Sequence, residues 1–422
     1  KTGDGLLARL NPVAGGLSPD ALTGLSEAAL AHGNGIIEVT ARGSIQIRGL
    51  SEHSAIRFAE AVTELGIAIH TGVPVETGVL AGLDPTEVTD PTRLVESLRT
   101  AIAGAGLEGR LGPKVSVVVD GGGRTALDEV AADVRLTAVS GGWRVAIAGH
   151  AQTARPLAVA GSDDLARDRA ITLLSGIAEM GRRARGRDLN DEELGAEPSS
   201  AEYGSRPSAP RTLIGNFDLR DGRLALGIGL PFGQTFADVL KTFCEAAISL
   251  GIEDIGPAPG RSLVAICESV KQMQELRERA RMLGFITGAD DPRCAISACP
   301  GAPDCASGHI GARKIATAIA SENRHLFDGS LHMHLSGCAK GCAHPAPSDI
   351  TLVGTEGGMA LVLNGTARDE AVAFADHDGA GRAFASMAAL LAAQRKPREP
   401  TAQVLARIEP AEILEAFRKH GS

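Results

Sequence analysis

With 422 residues and a formal net charge of −9, the chain is long enough to bury a sizeable core and too acidic for bulk binding to nucleic acid. Its single Trp and single Tyr supply no platform for stacking single strands, and no apolar run is long enough to cross a bilayer. The opening Lys1-Thr-Gly-Asp-Gly carries no hydrophobic signal segment, so a cytoplasmic protein of roughly two to four domains is expected, with no nucleic-acid or membrane partner.

An internal repeat organises the chain. The first unit opens with DGLLARL at 4–10, passes through a Gly-containing turn into a helix holding Glu27-Ala28-Ala29, and reaches Gly33. The alternating stretch Gly43 to Arg48 follows, so the unit reads strand, helix, strand. Asp133 to Gly149 reads as a hairpin turning on Gly141-Gly142, which supply the positive φ of a tight turn, and an Ala-rich helix is expected near 163–182. Gly186 to Arg211 is acidic and then rich in Ser, Pro and Gly, a composition that cannot bury enough apolar surface to fold alone, and reads as a surface linker. The second unit then repeats the order: DGRLALG at 221–227, a helix holding Glu245-Ala246-Ala247, Gly251, a strand from Arg261 to Ile266, a hairpin from Asp349 to Gly365, and an Ala-rich helix near 380–396. The chain is therefore a duplication with halves of about 190 to 210 residues.

Five of the seven cysteines fall between Cys294 and Cys342, which in a large cytosolic chain points to metal or redox chemistry before disulfides. Cys244 and Cys267 lie in apolar surroundings and read as buried small hydrophobes. Cys299-Pro-Gly-Ala-Pro-Asp-Cys305, followed by Cys338-Ala-Lys-Gly-Cys342, has the small and turn-forming residues that let backbone wrap an iron–sulfur cube and aim N–H groups at sulfur. These four thiolates are the expected ligands of a [4Fe–4S] cluster. Structural zinc favours closer pairs than Cys299 and Cys305, and Cys294 reads as a spectator. Gly121-Gly-Gly123 does not open a helix after a strand as a dinucleotide fingerprint does, so no nicotinamide or flavin site is expected.

The Cys-x5-Cys and Cys-x3-Cys pairs inside a duplicated chain resemble the sulfite and nitrite reductase superfamily. Thr40-Ala-Arg42-Gly-Ser-Ile-Gln46-Ile-Arg48 is similar to its Thr-x-Arg-x-x-x-Gln stretch, whose arginine sits over the tetrapyrrole, and Leu111-Gly-Pro113-Lys114 to its Leu-Pro-x-Lys segment. The resemblance implies an α+β fold of ferredoxin-like half domains with two flanking α/β lobes. Its expected spans are half domains at 1–90 and 212–290, lobes at 95–185 and 291–395, the linker at 186–211, and a C-terminal helix at 396–422. It also implies that Cys342 faces the tetrapyrrole, with Arg42 and Lys114 in catalytic positions.

Two departures bear on the branch. Ser116 stands where the reductases carry a second basic residue, and Glu76 to Asp84 lacks their arginine, so two partners for siroheme carboxylates are missing. In their place, Ser336-Gly-Cys338-Ala-Lys340-Gly-Cys342-Ala-His344-Pro345 and Gly3 to Leu10 look like the precorrin-3B synthase family of aerobic cobalamin biosynthesis. That resemblance implies a monooxygenase taking precorrin-3A, O2 and electrons from an external NADH-linked reductase, with a [4Fe–4S] cluster and a mononuclear non-haem iron. A polycarboxylate substrate wants cations, which Arg9, Arg42, Arg48, Lys114 and Lys340 would supply with Gln46, although Arg9 and Arg48 also read as solvent-facing charges. His332 and His334, two apart on a strand, share a face and are candidate iron ligands, with His309, His344 and Asp304 as further candidates. The alternatives are a siroheme-containing sulfite or nitrite reductase and a noncatalytic [4Fe–4S] electron carrier or redox sensor.

Overall fold

Ser18 starts the first helix: its side chain accepts from the Ala21 N–H, Pro19 takes the first turn where no N–H is needed, and Leu22, Leu25 and Ala29 fall on the buried face. This helix, Pro19–His32, lies against its repeat counterpart Ala237–Ser249, with Lys241 reaching Glu27 at 2.7 Å. The computed structural model describes residues 3–11, 15–69, 71–125, 127–190, 213–377 and 379–418. The expected linker falls almost wholly on residues 191–212, outside the described ones. No helix among the described residues is long and apolar enough to cross a membrane.

The two units share one core. The first-unit sheet orders Leu6–Leu10, Ile45–Leu50 and Ile36–Val39, and is completed by Gln234–Phe236 from the second unit. The second-unit sheet orders Ile255–Ala258, Ser262–Cys267, Leu224–Gly229 and Gly215–Asp218. Leu25, Ile37, Ile47 and Phe58 from one unit and Leu226, Phe243, Leu263 and Leu276 from the other form a single buried cluster. Burying these side chains contributes roughly 1.5–3 kcal/mol each, so neither unit keeps its apolar face dry without the other.

Two five-stranded sheets flank this core with the same order and polarity: two parallel pairings, then two antiparallel ones. One runs Val75–Glu76, Val117–Asp120, Ala132–Val139, Gly142–Gly149, Arg155–Ala160. The other runs Ile296–Ala298, Met333–Ser336, Ser348–Thr355, Gly358–Gly365, Ala373–Ala375. Both Gly-Gly hairpins form, and the second glycine of each faces the outer strand. A Cβ on Gly142 would stand 2.1 Å from the Ala160 carbonyl oxygen, and one on Gly358 the same distance from that of Ala375. The Ala-rich helices span Asp163–Glu179 and Ala380–Gln394. The C-terminal stretch is not the one helix expected: Thr401–Arg407 and Pro410–Arg418 are separate, because Pro410 has no N–H to continue the ladder.

Glu87 is the most displaced carboxyl in the first lobe. Burial, and then Asp84 and Asp90, push its pKa up to about 7, although it accepts from the Gly82 N–H at 3.0 Å. The folded state then holds this proton up to about pH 7, whereas the unfolded chain releases it near its ordinary 4.5, so the stabilisation is full below 4.5 and is lost as pH rises through 7. Glu87→Gln should therefore raise the melting temperature at pH 8 and lose most of that gain at pH 5. Thermal scans at the two pH values check it; an equal gain at both would contradict the burial account.

Candidate active site

Cys299 and Cys338 leave adjacent parallel strands side by side. Ala298 pairs with Leu335 in register, and Cys299 donates its N–H to the Leu335 carbonyl at 3.2 Å. The Gly337 N–H then points at Cys299 Sγ at 3.0 Å, and the His309 N–H closes the loop onto Gly337 O at 2.8 Å. Glycine is required where the loops touch: a Cβ on Gly337 would lie 2.7 Å from Gly301 Cα and 3.5 Å from Cys299 Sγ. The Cys342 thiol is raised above its ordinary pKa by burial and then by Cys338, Cys299 and Cys305, with Lys340 opposing.

Three of the four candidate histidines come together. The rings of His332 and His344 are 4.5 Å apart between centroids, and those of His334 and His344 are 5.9 Å apart. His332 is held between the hydroxyls of Ser297 (3.3 Å) and Ser348 (3.1 Å). His334 is fully buried, with both ring nitrogens lacking a partner. Burial, and then His344, push the pKa of both His332 and His334 down to about 4. His309 is exposed, and its described bond is through its backbone. Asp304 enters the network by its carbonyl, which accepts from Arg48.

The candidate cations separate into paired and free groups. Arg48 is not a solvent-facing charge: it is 5% exposed and bonds both oxygens' side of Asp4 at 2.8 and 2.9 Å, Glu38 at 3.4 Å and the Asp304 carbonyl at 3.1 Å. Arg9 stands opposite Gln46 in the sheet, whose amide oxygen, when turned toward it, accepts at 2.6 and 2.9 Å. Arg42, in a cleft of about 400 Å³, donates to both oxygens of Glu76 at 3.2 Å and to the Ala131 carbonyl. Lys340 donates to Ser307 at 2.7 Å and lines a recess of about 100 Å³ with His344 and Arg368. Lys114 is exposed, and no described hydrogen bond or ion pair joins it to these groups.

Sequence reasoning missed three residues at this junction. Glu38 is buried on its strand and also accepts from Arg313 at 2.6 Å, while Arg261 donates to the Ala343 carbonyl at 2.8 Å, between Cys342 and His344. Arg261 was within reach of repeat comparison, because it sits at the second-unit hairpin tip matching that of Arg42. Arg313, on a helix of ordinary composition, gave no signal.

Among the described residues no three His, Cys, Asp or Glu side chains form a closed metal-binding group. The donor chemistry nonetheless fits the expected groups: two pairs of thiols on adjoining loops, with an N–H aimed at Cys299 sulfur, suit a cluster, and the orphaned ring nitrogens of His334 suit a metal.

Residues 1–65 match the nitrite/sulfite reductase ferredoxin-like half domain. A precorrin-3B synthase of Sinorhizobium sp. is 37% identical over 425 residues, covering 99% of this chain and 92% of that protein. The chain belongs to the precorrin-3B synthase family. Among solved structures, the Mycobacterium tuberculosis NirA protein superposes with a TM-score of 0.73 at 18% identity, covering 96% of this chain and 84% of that one. That likeness establishes the nitrite/sulfite reductase-like fold, so this enzyme family is built on the reductase architecture.

Gly337→Ala should force the two cysteine loops apart, at a cost of roughly 1–3 kcal/mol for overpacking. The expected outcome is a protein with unchanged far-ultraviolet dichroism and markedly less iron and acid-labile sulfide than wild type after anaerobic purification. Wild-type iron content in this variant would show that the loop contact is not what shapes the thiol site.

Proposed function

We propose that this protein is a precorrin-3B synthase, hydroxylating precorrin-3A at C20 and closing a γ-lactone from the ring A acetate onto C1. One atom of O2 enters the substrate, and the other leaves as water with two electrons and two protons from an external, NADH-linked donor. The observation that carries the reading is the 37% identity extending over 99% of the chain. The site chemistry supports it: Arg261 reaches the Ala343 carbonyl next to Cys342, Lys340 lies between the two cysteines, and His332 and His344 stand ring to ring, which are the cations and imidazoles a polycarboxylate macrocycle would need.

Cys299, Cys305, Cys338 and Cys342 would hold a [4Fe–4S] cluster, and His332, His334 and His344 a mononuclear non-haem iron, which when bound would supply one-electron transfer and O2 activation. The chain's own residues do the rest. Lys340 would present an N–H donor to a substrate carboxylate, as would Arg42 on giving up Glu76, with Arg9, Gln46 and Lys114 as further donors at separate places; Arg48 stays buried with Asp4 and Glu38 and holds its strand. Ser297 and Ser348 fix the His332 ring so that its orientation does not change when substrate enters. His309, exposed, contributes its backbone to the cysteine loop.

The test is an anaerobic absorption spectrum with iron and sulfide counts, followed by turnover of precorrin-3A under 18O2. Iron in excess of sulfide, a broad blue-end shoulder without sharp macrocycle bands, and one 18O in the product are expected. Intense siroheme bands would instead make the protein a sulfite or nitrite reductase. Cys342→Ser should abolish turnover and lower both counts, measured on the same preparations.

A further inference from the structure

Two hairpin tips meet across the duplicated core, and each carries an arginine. Arg42 of the first tip pairs through its backbone with Pro259 of the second, and the Gly260 N–H donates to the Ala41 carbonyl at 3.0 Å. The Arg42 guanidinium is occupied by Glu76 and Ala131. Arg261 is not so occupied. The carboxylate whose charge acts on it, Glu38, is already taken by Arg48 at 3.4 Å and Arg313 at 2.6 Å.

The backbone is arranged to bring this side chain here. Arg261 has φ +65°, a left-handed conformation that a residue with a Cβ adopts only at a cost, whereas the matching tip of the first unit uses Gly43 at φ +83°. Its stem lies over Gly233, where a Cβ would stand 2.7 Å from Arg261 Cδ. The head then donates Nη2 to Ala343 O, which fixes the fork beside Cys342 and the three histidines. Among the described residues, Arg48 pairs with Asp4 and Glu38, Arg313 with Glu38, and Arg261 with no carboxylate, while Arg313 Nε and Nη1 are buried without partners. A surplus positive charge and orphaned donors in a buried place call for an anion.

We propose that Arg261 is a substrate-binding clamp, taking one peripheral carboxylate of the tetrapyrrole on the cluster side, with Arg313 behind it as the positioning cation. The proposal rests on the tetrapyrrole reading above and adds the residue that fixes the macrocycle's rotation in its plane. A guanidinium fork suits this role because it matches a carboxylate with two parallel N–H donors. The competing role is a structural tie, in which the bond to Ala343 merely holds the Cys342 loop.

The experiment titrates the iron-loaded protein with precorrin-3A under argon, so that no turnover occurs, and counts iron and sulfide on the same samples. Arg261→Gly suits the conformation and removes the fork; Arg261→Lys keeps the charge and removes the two-pronged geometry. The expected result is that Arg261→Gly weakens binding roughly ten- to a hundred-fold with iron and sulfide unchanged, and that Arg261→Lys recovers part of the loss. Wild-type affinity in Arg261→Gly, or loss of iron in step with affinity, would overturn the clamp and leave the tie. If wild-type protein itself fails to bind precorrin-3A, the functional reading falls, and the clamp with it.

Discussion

Glu38 is the buried charge on which the junction depends. It sits on the strand Ile36–Val39 of the first unit and accepts from Arg48 on the neighbouring strand and from Arg313 in the first turn of Ala312–Glu322. Arg48 also holds Asp4 and the carbonyl of Asp304, which lies between the cluster-type cysteines Cys299 and Cys305. A first-unit sheet and the cysteine lobe are thus fastened through the Glu38 carboxylate and the Arg48 contact to Asp304. Such a network is weak evidence for net stability, because desolvating the ions costs about as much as their attraction returns. Its value is geometric: stranding one member costs roughly 3–5 kcal/mol, so the lobe has one low-energy position against the sheet.

The duplication explains why a site forms at this place. Both flanking lobes repeat one sheet order, down to the glycine that lets the outer strand approach, yet only the second carries cysteine loops. The two hairpin tips likewise occupy matching places with different work: one arginine is neutralised by Glu76, the other is left open beside Ala343. The repeat supplies matching places, and unlike side chains at them supply unlike surroundings.

Much of the fold was legible because its signals are local. Alternation in 43–48, the helix holding Glu27-Ala28-Ala29 and the Gly-Gly turns each depend on neighbours in sequence, and all formed, the strand two residues further on at Ile45–Leu50. The exchanged strand Gln234–Phe236 was not legible, because three residues carry no usable period and their pairing with Ile36–Val39 is set by tertiary contact. The cysteine loops were readable from spacing, and the His332–His334 pair from strand geometry. The partners of Arg48 and the position of Arg313 were not, since ion pairs across 44 and 275 residues leave no trace in a single sequence.

Electrostatics then separates the roles of the arginines. The chain as a whole is acidic, so a polycarboxylate gains nothing from long-range attraction and must be held by local donors. A substrate carboxylate that approaches Arg42 has to displace Glu76, whose own pKa is raised by burial and then lowered again by Arg42. That exchange returns little free energy, because one carboxylate replaces another. An approach to Arg261 displaces no side-chain anion, and its fork is already fixed in place by Gly233 and Ala343. On the proposed reading, binding energy would concentrate where the cation has no carboxylate partner and is preorganised, at Arg261 beside Ala343.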